Sequence, residues 1–289
     1  MPELPEVETI RVGLEPYVAG QHISGVDVFN PRAVRRQPGG AEEFRARLTG
    51  NRISHTDRRG KYLWLVLDDD ACLAIHLGMS GQLIVPSPER KRDGHTRAVV
   101  TLSNGTELWF QDQRTFGWLW ACDVIPAVHV ASRKVPAKLV PEPVVHIAPD
   151  LLEPGLDPVV LAHQMRLRRS GIKRVLLNQE VVSGIGNIYA DEMLWAARVH
   201  GEIPASELSV RKLAQLIRAG QDVMRRAIAA GGTSFDELYV HVNGRSGYFS
   251  RSLEAYGRAG EPCSRCGGLI VRQSFMNRSS YFCARCQKN

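Results

Sequence analysis

Apolar residues recur at helical spacing at the start of the chain. Val7, Ile10 and Leu14 share one face, and Pro5 suits a first helical turn, so an amphipathic N-terminal helix is predicted. From residue 22 the period changes. Short runs rich in branched and aromatic residues cover 22–29, 62–67, 72–77, 98–102 and 107–110. Asn104-Gly105, between the last two runs, is a strong hairpin signal. Residues 22–122 therefore predict a β-sandwich. Pro126, Pro136, Pro141, Pro143, Pro149, Pro154 and Pro158 then interrupt every periodicity and predict a linker over 124–160. Residues 160–231 return to helical spacing. The clearest helix spans 208–230, with Leu213, Leu216, Ile217, Val223, Ala227 and Ile228 on its apolar face and Gly231 as its stop. The Gly-, Ser- and Tyr-rich stretch 232–260 predicts a mobile loop. There is no internal repeat.

The length of 289 residues suits two domains, and an apolar fraction of 44% supports a sizeable core. No apolar run is long enough to span a membrane, and no secretion signal is visible. A net charge of +7 points to an anionic partner, of which nucleic acid is the commonest.

Of six cysteines, Cys72 and Cys122 stand alone in strand-like runs and are expected to be buried. The other four form two knuckles, Cys263-x2-Cys266 and Cys283-x2-Cys286. This spacing fits one tetrahedral zinc ion held by four thiolates, with no position open for water, so the metal is structural. Strand-like runs between the knuckles predict a zinc-clipped β-hairpin, with Arg278 in its turn and free to reach a phosphate.

The N-terminus carries a second chemical signal. Removal of Met1 would leave Pro2 as a secondary amine beside Glu3. An α-amine titrates near ~8, so a usable fraction is neutral and nucleophilic at pH 7. Such an amine can form an iminium ion with a sugar aldehyde carbon. The positive end of the following helix favours an ionised Glu3 and disfavours the ammonium.

Several motifs now stand in order: MPELPEVETIRVGLEP at 1–16, RRGKYL at 58–63, HLGMSGQL at 76–83, DQRTFG at 112–117, SGIGNIYADE at 183–192, YGRAGEPCSRCGG at 256–268 and NRSSYFCARCQ at 277–287. In these the chain resembles the formamidopyrimidine-DNA glycosylases over nearly its whole length. The resemblance implies an α+β fold. An N-terminal β-sandwich flanked by helices occupies 1–123, and the Pro-rich linker 124–160. A helix–two-turns–helix domain with a lesion-capping loop occupies 161–255, and a zinc-bound β-hairpin 256–289. DNA would bind in the cleft between the two domains.

By position, the resemblance makes Pro2 the Schiff-base nucleophile and Glu3 its acid–base partner. Lys61 matches the lysine linked to β-elimination and phosphate contact, and Arg278 the arginine linked to phosphate contact and δ-elimination. Met79, Arg114 and Phe116 would fill the space left by an extruded base. His76, His95, Arg169, Lys173 and Asn187 would lie along the DNA backbone, Asn187 at a glycine-flanked helix start. The segment 232–256 resembles the loop that closes over an oxidised purine.

The expected activity is excision of 8-oxoguanine and formamidopyrimidines from damaged double-stranded DNA, followed by β,δ-elimination. Zinc is the one cofactor expected. A cytoplasmic, nucleoid-associated monomer with no membrane and no obligatory protein partner is implied. The sequence leaves open an endonuclease VIII-like enzyme for oxidised pyrimidines, a non-catalytic binder of damaged DNA and a zinc-ribbon protein with other partners. It departs from the family at Asn178, Gly201 and Asn277, and in the 124–146 segment.

Overall fold

The computed structural model describes residues 1–129, 137–232 and 252–288. The chain forms two compact units. Among the described residues, the first comprises Met1–Ala127, Lys138–Val145 and 230–232; the second comprises 128–129, 137, His146–Ala229 and 252–288.

In the first unit, helix α1 (Leu4–Val18) buries Val7, Ile10 and Leu14 as their spacing predicts. Two antiparallel sheets follow. One has the order β1 (Ile23–Val28), β6 (Thr96–Leu102), β7 (Glu107–Asp112), β5 (Gly81–Ile84). The other has the order β2 (Ile53–Arg59), β3 (Tyr62–Leu67), β4 (Ala71–His76), β8 (Trp118–Ala127), β9 (Lys138–Pro141). Val26, Val100 and Phe110 from the first sheet share one apolar core with Leu63, Leu73, Ile75 and Leu119 from the second. Val7 and Leu14 of α1 and Phe44 of helix α2 (Gly40–Leu48) join the same core. The sandwich flanked by helices is therefore present. Cys72 and Cys122 face each other directly across β4 and β8, buried, with sulfurs 3.6 Å apart.

The segment read as a linker begins differently. Strand β8 continues through Val124–Ala127 and pairs with β9, Val124 opposite Pro141 and Ala127 opposite Lys138. The prolines are tolerated because of where they fall. The amide of Val124 donates toward β4, to the Asp70 carbonyl at 2.8 Å. Pro126 faces the same side, but β4 has already ended, its last partner being Asp123. The missing N–H of Pro126 thus costs no ladder bond, and Pro141 lies on an edge strand.

In the second unit, α3 (Pro158–Arg166) is capped by Asp157, whose carboxylate accepts the amides of Val159 and Val160. Helices α4 (Ile172–Leu177) and α5 (Asn187–Ala197) are short, and α6 (Val210–Ala229) is the long amphipathic helix expected. Gly220 lets α6 approach α5 and the Leu151 segment closely: a Cβ there would lie 2.5 Å from Met193 Cε and 2.8 Å from Leu151 Cδ1. Strands β10 (Ile270–Phe275) and β11 (Arg278–Cys283) form the hairpin predicted between the cysteine knuckles. Most of the predicted capping loop, residues 233–251, lies outside the described residues. No described helix is long and apolar enough to cross a membrane.

Candidate functional site

Pro2 is buried at the mouth of α1, directly before Glu3, which is 3% exposed and caps the helix. Glu3 and Glu6 close a reciprocal capping box, the Glu6 carboxylate accepting the Glu3 amide at 2.9 Å. The chain start is thereby held in one conformation at the positive end of the helix. Helix α1 is fastened in turn to β2. Glu8 accepts from Arg58 at 2.7 Å and from Arg11 at 2.8 Å, and Arg11 also reaches the Thr56 carbonyl.

Strand β2 ends in a two-residue turn, Gly60-Lys61, that returns the chain into β3. Gly60 has φ +57°, a conformation in which glycine is free of Cβ strain. Lys61 is buried at 6% exposure. On the next strand, Tyr62 stands opposite His76, with ring centroids 4.9 Å apart, and His76 stacks on Trp118. Burial, together with the positive charges of Lys61, Arg36 and Arg35, pushes His76 down to about 4. His76 is therefore neutral at pH 7. Its Nδ1 accepts the Gly78 amide at 3.1 Å, which leaves Nε2 as the proton-bearing donor.

Met79 lies in the loop from β4 to β5, and Arg114 and Phe116 in the loop from β7 to β8. Met79 and Phe116 are each 43% exposed, so neither belongs to the core. The Arg114 guanidinium lies 4.7 Å above the Phe116 ring. His95 is exposed, and its carbonyl accepts the Asp112 amide at the root of the same loop.

The remaining predicted residues belong to the second unit. Arg169 is exposed between α3 and α4. Asn187 opens α5 after the Gly186 cap, and its Nδ2 donates to the Ser279 carbonyl at 2.9 Å, next to exposed Arg278 at the hairpin turn. Lys173 departs from expectation. It is 1% exposed, and its ammonium is 2.6 Å from Asp191 Oδ1 and 2.7 Å from Ser280 Oγ, with the Phe275 ring at 4.7 Å. Asp191 is 2% exposed and also accepts the Tyr281 amide at 2.9 Å. In this arrangement Lys173 is not a surface cation facing DNA but a tie between α4, α5 and the hairpin.

The four clustered cysteines place their sulfurs within 4.8 Å of one another, with Cys266 and Cys283 at 3.5 Å. A tetrahedron of about 2.3 Å zinc–sulfur bonds has sulfur–sulfur edges of about 3.8 Å, so the donor set fits zinc. Burial pushes the Cys263 thiol up, but the Trp195 indole N–H at 3.3 Å and the amides of Arg265 and Cys266 outweigh it, leaving the group at about 6. At Cys263 the thiolate that zinc requires is thus favoured at neutral pH, whereas burial and the neighbouring thiols push Cys283 and Cys286 up, so metal binding must displace their protons. Glu192, next to Asp191, anchors the entry to this module. Its buried carboxylate accepts the amides of Glu254, Ala255 and Tyr256, each at 2.9 Å.

Sequence reasoning missed Arg35, Asp112, Asp191 and Glu192. The two acids on α5 were visible inside the SGIGNIYADE motif, and Asp112 inside DQRTFG. Nothing in the pattern marked them as buried.

Comparison with known proteins gives three family matches. Residues 1–119 match the formamidopyrimidine-DNA glycosylase N-terminal domain, residues 147–237 the H2TH domain of the same enzymes, and residues 260–289 a zinc finger found in FPG and IleRS. A formamidopyrimidine-DNA glycosylase of Corynebacterium glutamicum (strain R) is 52% identical, covering 100% of this chain and 99% of its own. One of Mycobacterium avium (strain 104) is 53% identical, covering 99% and 98%. Among solved structures, a Lactococcus lactis FPG mutant bound to Fapy-dG containing DNA superposes with a TM-score of 0.84 at 32% identity, covering 100% of both chains. Lactococcus lactis Fpg bound to abasic-site DNA gives 0.82 at 31%, covering 99% and 100%.

Proposed function

The chain belongs to the formamidopyrimidine-DNA glycosylase family, and from that premise we propose how its own residues carry out the chemistry. It is a base-excision repair enzyme, a DNA glycosylase with AP lyase activity, that acts on damaged DNA. Cys263, Cys266, Cys283 and Cys286 hold one structural zinc ion.

The nucleophile is the ring nitrogen of Pro2 once Met1 has been removed. The observation that carries this reading is the burial of Pro2 against Glu3, with the capping box fixing both at the start of α1. Ionised Glu3 first takes one proton from the Pro2 ammonium; the freed amine bonds to C1′ of the damaged nucleotide as the glycosidic bond breaks, and its remaining N–H proton leaves with the base. Return of the proton from Glu3 to the ring oxygen then opens the sugar and leaves an iminium ion. Loss of the C2′ proton then expels the 3′ phosphate, and a second elimination expels the 5′ phosphate.

Lys61, buried beside the His76 and Tyr62 pair, serves β-elimination and phosphate contact. Arg278 contacts a phosphate, and this role is favoured over proton donation because a guanidinium gives up its proton reluctantly. His76, His95, Arg169 and Asn187 are further backbone contacts, with His76 acting as a neutral donor. Met79, Arg114 and Phe116 enter the space of the extruded base. Lys173 holds the hairpin that carries Arg278. Binding weakens as salt rises, because these cations displace counterions from phosphates. The substrate class is oxidised purine, 8-oxoguanine or formamidopyrimidine, and the working location is the nucleoid.

Borohydride trapping on two duplexes tests this reading, one with 8-oxoguanine opposite cytosine and one with thymine glycol opposite adenine. A covalent adduct mapped to Pro2, mainly on the first duplex, is expected, and Pro2→Gly should lose it while still binding the lesion. An adduct mainly on the second would move the substrate class to oxidised pyrimidines. Trapping at a residue other than Pro2 would overturn the nucleophile.

A further inference from the structure

Met79, Arg114 and Phe116 stand on two loops, and exposed loops ordinarily sample many conformations. These two are built otherwise. Asp112, 1% exposed, accepts the Ser80 hydroxyl at 2.5 Å and the Arg114 amide at 3.2 Å on Oδ1, and the Gly117 amide at 2.7 Å on Oδ2. One carboxylate therefore binds both ends of the Arg114–Phe116 loop and the residue that follows Met79. From a second direction, Arg35 donates to the Phe116 carbonyl at 2.9 Å and the Gly117 carbonyl at 2.7 Å.

The two loops also touch backbone to backbone. A Cβ on Gly78 would lie 2.5 Å from Gly117 N, and one on Gly117 would lie 2.7 Å from the His76 carbonyl oxygen. Between Arg114 and Phe116, Thr115 has φ +53°, a conformation that a β-branched residue adopts only when its surroundings dictate it. The Arg114 guanidinium is already stacked on the Phe116 ring.

We propose that Asp112 and Arg35 are positioning residues that lock the Met79 loop and the Arg114–Phe116 loop into one rigid plug, shaped before DNA arrives. This rests on the assignment of Met79, Arg114 and Phe116 as the residues that fill the vacated space. A plug ordered in advance spends no binding energy on ordering itself while the base is being extruded. The clamp therefore acts on the extrusion step. It does not act on the chemistry of Pro2, and it does not act on an abasic sugar in single-stranded DNA, where no helix has to be filled.

The test uses the full-length zinc-loaded protein and its variants Arg35→Ala, Arg35→Lys and Asp112→Asn. Two rates are measured: single-turnover excision from an 8-oxoguanine·cytosine duplex at saturating enzyme, and nicking of single-stranded DNA carrying an abasic site. Arg35→Ala and Asp112→Asn should lose at least tenfold on the duplex while staying within about twofold on the single strand. Arg35→Lys, which can still reach one carbonyl, should recover part of the loss. Ile84→Ala serves as the destabilised control, since it opens the buried Ile84, Val99 and Trp109 cluster, which contains no residue of either loop. It should change both rates by the same factor.

If the Arg35 and Asp112 variants also change both rates by one factor, or change neither, the positioning role is overturned. Phe116→Ala and Arg114→Ala keep the two ideas apart. If these leave duplex excision intact, the plug assignment itself fails. If they abolish it while the Arg35 and Asp112 variants do not, only the clamp fails.

Discussion

Replacing Asp191 by Asn should destabilise the second unit severely, although both residues of its ion pair are shut away from solvent. The Lys173 and Asp191 side chains are 1% and 2% exposed, and their charged atoms are 2.6 Å apart. Asn keeps the shape and can still accept the Tyr281 amide, so the change removes little besides the negative charge. It leaves a buried ammonium whose uncharged neighbours include the Ser280 hydroxyl, the Ser279 carbonyl and the Phe275 ring. Breaking a buried pair in this way costs about 3–5 kcal/mol. With a urea m-value of about 2 kcal/mol per molar, the midpoint should fall by roughly 1.5–2.5 M.

The double variant Lys173→Met with Asp191→Leu removes both charges and should lose far less. Its main cost is the Tyr281 amide left without an acceptor, about 1–3 kcal/mol. The assay is equilibrium urea unfolding of the zinc-loaded protein, followed by circular dichroism and zinc release together. A loss below about 1 kcal/mol for Asp191→Asn, or a double variant as unstable as the sum of the singles, would refute the reasoning.

Three further outcomes follow from the geometry. Cys266→Ser should lose zinc and DNA binding together, measured by metal analysis and fluorescence anisotropy; full binding by the zinc-free protein would make the module dispensable. His76 should titrate near 4 by NMR, against about 6.5 in the unfolded chain. Its share of stability is complete above 6.5 and is lost as pH falls from there toward 4, because the unfolded state takes up the proton first; a native midpoint near 6.5 would contradict this. Gly78→Ala should lower the melting temperature clearly, since φ is +62° and the new Cβ would meet Gly117 N at 2.5 Å, whereas Gly94→Ala, with nothing within 4 Å, should be nearly silent.

What could be read from the chain beforehand depended on how local its cause was. Helices α1 and α6 and strand β3 follow from the spacing of their own apolar residues, and the four-cysteine site from its two knuckles. Lys173 was misread because its environment is not local: Asp191 and Ser280, which bury it, come from α5 and from a strand more than a hundred residues away. Met79 and Phe116 are the converse. By residue type they belong in a core; the resemblance of their motifs set them apart, and the loops that display them leave each 43% exposed. Strand β9 was hidden by prolines that are harmless where they fall, on an edge and beyond the end of β4.

The disposition of the sulfurs sets how this protein meets its surroundings. Cys72 and Cys122 lie inside the sandwich, and the Cys122 sulfur together with burial pushes the Cys72 thiol far up, so almost no Cys72 thiolate forms. Peroxide attacks thiolates, not thiols. The remaining four sulfurs are committed to zinc. No cysteine is thereby left as an open thiolate, and the accessible sulfur among the plug residues is the thioether of Met79, 43% exposed and open to oxidation to the sulfoxide. The cysteine sulfurs of the hairpin stay shielded for as long as the protein keeps its metal.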